Sequence, residues 1–341
     1  MLHITMLDLN DKTILVTGGC GFIGSNFIEY VDSKFKNLKI VNIDKWGVGH
    51  RKISPCGLKN AKHYDQIIMD MCKFDNDGHW LNKTKLDNYN FDYVFHFAAE
   101  SHVDRSIQSP KDFIYNNVQS TSALLSYLMH KSFKNPIICI STDEVYGHLG
   151  LSDPPFLETN MLSPRSPYAA SKAASDLIAL SFVSTYGLDV RVTRCCNNFG
   201  NHQHDEKFIP TIIRNLINGN KIPVYGNGQN VREWIHVDQH NDYLLTVVEK
   251  GESGKIYNIG SGFELSNLDL IKLILQTPHF KHLKFEDVVQ YVEDRKGHDF
   301  RYAIDSTHEL KSESKYDQLQ LFEKTVDFYV DKYKLSTTVS V

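Results

Sequence analysis

Short apolar runs alternate with longer mixed stretches through the first two thirds of the chain. Residues 13–17, 39–43, 66–69, 92–97, 137–141 and 190–194 are rich in β-branched and aliphatic side chains, several almost without a polar break. Runs of that kind suit parallel strands covered on both faces. Between them, segments 22–34, 110–131 and 167–186 are long enough for crossover helices. The rhythm predicts an α/β fold, a Rossmann-type doubly wound parallel sheet with right-handed crossovers.

After Arg194 the rhythm breaks. Residues 195–232 are rich in Asn, Gly, His and charge, and a further strand-like run at 255–259 follows a predicted helix at 241–250. A smaller mixed α/β lobe made of two separated segments accounts for this. Residues 1–194 with about 229–262 are assigned to a dinucleotide-binding domain, and about 195–228 with 263–341 to a substrate-binding lobe. That lobe is expected over the C-terminal edge of the sheet, where open α/β sheets bind ligands.

Composition changes this picture little. With 341 residues, 41% hydrophobic and 23% charged, the chain reads as an ordinary globular protein with a sizeable core. A net charge of −4 argues against a dedicated nucleic-acid binder. Six cysteines without a C-x-x-C pair suggest reduced thiols, so a cytoplasmic protein is expected. The first residues lack the pattern of a secretory signal, and no apolar run reaches the ~20 residues of a membrane span. His202 and His204 have no recognised zinc spacing, so no metal site is expected.

Directly after the first strand comes Thr17-Gly-Gly-Cys-Gly-Phe-Ile-Gly24, opening a helix. Gly18, Gly21 and Gly24 allow a tight turn, close approach of backbone to a pyrophosphate and tight helix–strand packing. Phe22 and Ile23 begin the helix whose exposed N–H groups would hold the phosphates. Asp44 ends the second strand twenty positions beyond Gly24. A carboxylate there bonds ribose hydroxyls and repels a 2′-phosphate, which favours NAD over NADP. Asp70 and Met71, after the third strand, are candidates to flank adenine, although a simple turn explains them nearly as well.

Two acid–base devices follow. In Tyr168-Ala-Ala-Ser-Lys172 the four-residue spacing puts phenol and ammonium on one helix face, with Ser166 as N-cap and Pro167 as first helical residue. A tyrosine acting as base near neutrality needs its pKa lowered from ~10 by roughly three units, about 4 kcal/mol. The neighbouring ammonium and an oxidised nicotinamide are the expected sources. In Ser141-Thr-Asp-Glu144, Thr142 is placed to bond the hydroxyl that Tyr168 deprotonates. Adjacent Asp143 and Glu144 repel, so at least one is expected to keep its proton. Asp143 could then protonate a departing hydroxyl while Glu144 takes a proton from the adjacent carbon.

Together with 96–107, 194–200, Glu206-Lys207, Arg232-Glu-Trp234 and 294–298, these motifs carry a resemblance. From about Lys12 to beyond Asp305 the chain resembles the nucleoside-diphosphate-glucose 4,6-dehydratases, nearest the dTDP-glucose type, of the extended short-chain dehydrogenase/reductase family. The resemblance implies tightly held, recycled NAD and a catalytic set of Thr142, Asp143, Glu144, Tyr168 and Lys172. It also implies oxidation at C4, elimination of water across C5 and C6, and return of hydride to C6. It adds Phe97, Ala98 and Ala99 to the cofactor contacts. Ser101 and Asn197 would lie near the hexose or nicotinamide, and Glu206, Lys207, Pro223 and Tyr225 near base and ribose. Arg232, Asn267, Arg295 and His298 would surround the diphosphate. A homodimer through 110–131 and the Tyr168 helix is implied as well.

Two departures stand out. Lys45-Trp-Gly-Val-Gly-His50 replaces a Leu-Thr-Tyr-Ala-Gly-Asn-like stretch, and Gly200-Asn201 replaces Gly-Pro. Thymidine and uridine substrates, dTDP-glucose and UDP-glucose, differ by one methyl, and the sequence does not choose between them. A nucleotide-sugar epimerase or decarboxylase would share the glycines and the Tyr–Lys pair without needing both acids. A non-catalytic dinucleotide-sensing scaffold could keep the glycines and lose the rest.

Overall fold

The computed structural model describes residues 7–45, 58–73, 85–294, 297–307 and 316–338. Seven parallel strands form the main sheet: β1 (Thr13–Thr17), β2 (Lys39–Asp44), β3 (His63–Ile68), β4 (Tyr93–His96), β5 (Ile137–Thr142), β6 (Val190–Cys195) and, late in the chain, β10 (Ile256–Ile259). Their order across the sheet is β10-β6-β5-β4-β1-β2-β3. The order reverses at β1, which pairs with β2 on one side and β4 on the other. A crevice therefore opens beyond the C-terminal ends of β1 and β4, where doubly wound sheets take their ligands.

Helices cover both faces. On one side α1 (Phe22–Lys34) and α6 (Val237–Lys250) pack against Ile14, Val16 and Phe95. On the other, α3 (Pro110–His130) and α4 (Pro167–Tyr186) cover Leu15, Val41 and Val94. Alternate residues of one strand thus feed opposite cores, which is why these strands are apolar throughout. A short α2 (Val103–Gln108) precedes α3.

The remaining elements form smaller sheets. β7 (Asn197–Phe199) runs parallel to β9 (Val231–His236), which pairs antiparallel with β11 (Glu264–Ser266). β8 (Ile222–Tyr225) pairs in parallel with β12 (Val289–Val292). A separate core around Phe199, Ile213, Trp234, Ile271 and Phe322 joins these to α5 (Phe208–Ile217), α7 (Asn267–Gln276), α8 (Phe285–Val288) and α9 (Gln318–Thr338).

The last helix touches both parts of the molecule. At its start, Gln318 accepts from the His236 backbone N–H at 2.9 Å and donates to Gln239, while Tyr316 donates to Asp242 at 2.7 Å. Asp242 also accepts from Tyr30 and Lys34 of α1. Farther along, Tyr329 donates to the carbonyls of Gly200 and Gln203, and Lys332 and Tyr333 donate to Asp205.

Cys20, Cys72, Cys139, Cys195 and Cys196 are buried free thiols. Among the described residues, no helix is long and apolar enough to cross a membrane.

Candidate active site

The glycine turn joins the two strands at the reversal. Gly18 has φ +72°, and a Cβ there would lie 2.6 Å from the Ala98 nitrogen after β4. A Cβ on Gly24 would meet the Gly18 carbonyl at 2.5 Å. Both positions therefore exclude a side chain for the protein's own packing. Gly21 differs. Its φ is −74°, and the nearest atom to an added Cβ is the Gly18 oxygen at 3.3 Å. What a side chain at 21 would obstruct is the space in front of the α1 N-terminus, where a pyrophosphate fits.

Asp44 closes this end: its Oδ2 accepts from the Cys20 N–H at 2.9 Å. Asn42 Oδ1 accepts from the Gly19 N–H at 3.0 Å, fixing the turn from β2. Side chains of β2 thus hold a backbone loop with no side chains of its own at positions 18 and 19. The donor set suits NAD: a glycine turn, a helix start, and a carboxylate ending β2.

One cavity of about 330 Å³ is lined by all the predicted cofactor residues, Gly18, Gly21, Phe22, Ile23, Gly24, Asp44, Asp70, Met71, Phe97, Ala98 and Ala99. It is also lined by Thr142, Asp143, Glu144, Tyr168 and Lys172, and by Ser101, Asn197, Glu206 and Lys207. Pro223, Tyr225, Arg232, Asn267 and His298 lie outside that lining, around β8, β9 and the start of α7. Arg295 and the residues that follow Lys45 through 57 fall outside the described residues.

At the catalytic end, β5 stops at Thr142 and a single 3₁₀ turn, Asp143–Tyr146, begins. Thr142 Oγ1 caps it, accepting from the Glu144 N–H at 3.3 Å and donating to Asp143 Oδ1 at 3.1 Å. Asp143 is 1% exposed, and its Oδ2 is buried without a hydrogen-bond partner. Burial, then the charges of Glu144 and Glu233, push its carboxyl well above the usual range. A buried acid that keeps its proton, with one oxygen unspoken for, is suited to donate to a leaving group.

Tyr168 and Lys172 sit one turn apart on α4, whose N-cap Ser166 accepts from the Ala169 N–H at 3.1 Å. Lys172 Nζ donates to the Ile140 carbonyl at 2.8 Å, and burial lowers its pKa. The expected lowering at Tyr168 is not what the protein itself produces. Burial, and after it the charges of Glu144, Cys195 and Asp143, raise the phenol well above its ordinary value; only a bond to Thr142 acts the other way. The reasons are its full burial and, after that, its company: Tyr168 faces acids, while the Lys172 ammonium is bound to β5 backbone.

At the cavity mouth Glu206 accepts from Arg105 at 3.1 Å and lies 3.6 Å from His102. Lys207 Nζ donates to the Ser101 carbonyl at 3.1 Å. Arg232 donates to the carbonyls of Val231 and Asp299 at 2.8 and 3.0 Å, with its guanidinium 4.5 Å above the Tyr302 ring. The Tyr225 ring meets His298 edge-on at 6.4 Å, and His298 pairs with Asp294 at 2.7 Å. At the start of α7, the Asn267 N–H donates to the Asn230 carbonyl at 3.0 Å.

Sequence reasoning missed Glu233. Its carboxylate is 1% exposed and accepts from the N–H groups of Ser261, Gly262 and Ile304 at 2.6, 2.8 and 3.0 Å. It stands one residue before Trp234, which pairs with Asn197, so it lies level with Cys196 beside the catalytic strand ends. Its signal was a glutamate in mid-strand, between Arg232 and Trp234. Asn117 was missed too. From α3 it donates to Ser171 at 2.9 Å and clasps both backbone groups of Glu100.

Comparison with known proteins places the chain in a family. The model of the NAD dependent epimerase/dehydratase family matches residues 14–260. The low-salt glycan biosynthesis protein Agl12 of Haloferax volcanii is 42% identical over 294 residues, 86% of this chain and 90% of its own length. A dTDP-glucose 4,6-dehydratase of Streptomyces antibioticus is 40% identical over 326 residues, 93% of this chain and 92% of its own. The crystal structure of DesIV, a dTDP-glucose 4,6-dehydratase from Streptomyces venezuelae solved with NAD bound, superposes with a TM-score of 0.83. It is 36% identical, covering 95% of this chain and 98% of DesIV. The chain belongs to the NAD dependent epimerase/dehydratase family, and within it to the dTDP-glucose 4,6-dehydratases.

Proposed function

We propose that this chain is an NAD-dependent hydro-lyase that converts a nucleoside-diphosphate glucose, dTDP-glucose or UDP-glucose, to its 4-keto-6-deoxy derivative. The observation that carries the reading is the proton-retaining, partly unbonded Asp143 next to Glu144 in the cavity that also holds Tyr168 and the glycine turn. An epimerase needs the phenol and the turn alone. A buried acid beside a carboxylate suits elimination.

In this reading Tyr168 takes the proton from the C4 hydroxyl, with Thr142 orienting that hydroxyl. The C4 ketone acidifies the hydrogen at C5, which Glu144 removes. Asp143 gives its proton to the C6 hydroxyl, which leaves as water. When bound, NAD supplies reversible hydride transfer and, in its oxidised form, the positive charge that favours a Tyr168 phenolate. Lys172 adds a second positive charge from behind.

The nucleotide end belongs to the smaller lobe, with Glu206, Lys207, Pro223 and Tyr225 toward base and ribose. Arg232, Asn267, Arg295 and His298 are assigned to the diphosphate, which guanidinium groups hold in planar, bidentate fashion. The same reading makes residues 1–194 with about 229–262 the cofactor domain and the rest the substrate lobe. It also makes the enzyme a cytoplasmic homodimer. The exposed Ile114 and Tyr115 of α3 and Leu177 of α4 support that dimer surface.

The test uses glucose deuterated at C4, supplied separately as its dTDP and UDP forms. Deuterium at C6 of a 4-keto-6-deoxy product is the expected outcome, and the faster form identifies the base. Deuterium lost to solvent, or kept at C4 of an epimer, overturns the proposal.

A further inference from the structure

The four-residue interval between Tyr168 and Lys172 continues for one more step, to Asp176, which shares their face of α4. Asp176 is 2% exposed, and its Oδ2 accepts from Arg194 Nε of β6 at 3.0 Å. Arg194 is also 2% exposed, with its guanidinium 4.7 Å above the Tyr146 ring. Two buried basic side chains, Lys172 and Arg194, thus share one carboxylate on the helix that carries the phenol.

The proposed mechanism uses Lys172 as a cation, yet nothing in it says how that charge survives burial. The groups facing Lys172 come from four elements. His96 of β4 is neutral: burial takes it down to about 3, and it bonds Thr17 and Thr121. Cys139 of β5 and Cys195 of β6 are thiols pushed up to about 12. On β6 the nearby charge is Arg194, which repels an ammonium. On α4 there are Tyr168, itself raised, and Asp176. Burial pushes the Asp176 carboxyl up, and Arg194 and Lys172 pull against it. Its contact with a guanidinium whose proton is held more firmly than usual marks it as a carboxylate.

We infer that Asp176 is a positioning residue of the active site, acting through Lys172: its carboxylate keeps the buried ammonium charged behind Tyr168 while also pairing Arg194. This rests on the proposed Tyr168 chemistry for its catalytic consequence, although the charge state of Lys172 can be read without any turnover.

A merely structural role would end with Arg194, and variants separate the two. Asp176→Asn alone strands a buried guanidinium and risks the fold. The Asp176→Asn/Arg194→Met pair removes both charges together, which proteins often tolerate. The Lys172 side-chain titration is followed by 13C NMR of lysine Cε, its signal assigned by loss in Lys172→Arg. In the double variant the midpoint is expected to fall by about one pH unit or more, a shift of roughly tenfold in proton affinity. Arg194→Met alone should leave the midpoint at or above the wild-type value, because the carboxylate stays and a repelling charge goes, and Asp176→Glu should keep it there. The basic limb of C4 hydride transfer should move down by the same interval. A wild-type midpoint in the double variant, or loss of folding in every variant lacking the carboxylate, overturns the inference. Absence of C4-to-C6 deuterium transfer in the wild-type enzyme would instead overturn the proposed function and leave the NMR result standing.

Discussion

Lys172 donates its ammonium to the Ile140 carbonyl at 2.8 Å, which fastens the cation to β5 two residues before Thr142. In the proposed mechanism its contribution to Tyr168 is therefore charge delivered from a fixed point. Lys172→Met should lower the rate of C4 hydride transfer by about 10²-fold or more. The deficit should narrow as pH rises and solvent hydroxide ionises the phenol. Single-turnover absorbance of reduced nicotinamide across pH checks this, and a loss independent of pH would contradict it.

Glu144 lies on the half-exposed side of the 3₁₀ turn, whereas Asp143 is fully buried. Glu144→Gln should leave C4 oxidation running and slow loss of the C5 proton by about 10²–10⁴-fold. The expected sign is reduced nicotinamide that accumulates on the enzyme while product release stalls. Normal turnover would reassign the base.

In the proposed mechanism Asp143 links catalysis to stability with a definite sign. Its folded-state pKa lies well above the ordinary 3.8, mainly through burial. Below the unfolded pKa both states are protonated and the group is neutral to stability. As pH rises past that value the unfolded chain ionises first, so the folded state loses stability up to the folded pKa. Asp143→Asn removes that penalty. It should raise the melting temperature, more at about pH 8 than at about pH 4, while slowing elimination severely. Melting curves at the two pH values decide it.

Gly21→Ala and Gly24→Ala should fail differently. An alanine at 24 collides with the Gly18 carbonyl and should cost both fold stability and NAD. An alanine at 21 meets only that carbonyl's edge, so the apo protein should keep its stability to within about 0.5 kcal/mol while NAD affinity falls sharply. Calorimetric titration with NAD beside thermal melts separates the two.

Asp44→Ala removes the carboxylate at the adenosine end. NAD should bind roughly tenfold more weakly, the scale of a lost charged hydrogen bond, and the preference over NADP should shrink. Parallel titrations with both dinucleotides test it. An unchanged preference would place the ribose elsewhere.

Much of the fold was legible because its strands are buried on both faces and its helices begin and end on plain signals. Phe22–Lys34 and Pro167–Tyr186 run as their sequences suggest, the latter from a Ser-Pro start to Gly187 in the left-handed region at φ +67°. The small sheets were not legible. β7 and β11 have three residues each, and a helix and a strand separate each from their partner β9, α5 and β8 before it and α6 and β10 after it. Such pairings leave no periodicity to read. At the site, two adjacent carboxyls signalled the raised acid at 143, although burial is the larger cause. The raised phenol at 168 carried no such signal, because its main cause is complete burial, which a tyrosine's position on a helix does not display, with the facing acids second.

The C-terminal helix is pinned at its first turn to the side chains and backbone of α6 and β9, and near its far end to the 200–205 loop. Fixed at both ends, the helix ties two segments of chain that are more than thirty residues apart in sequence. The 200–205 loop that this strut holds leads directly into Glu206, so the bond from Arg105 to Glu206 closes on a backbone already anchored from the C-terminal end of the chain.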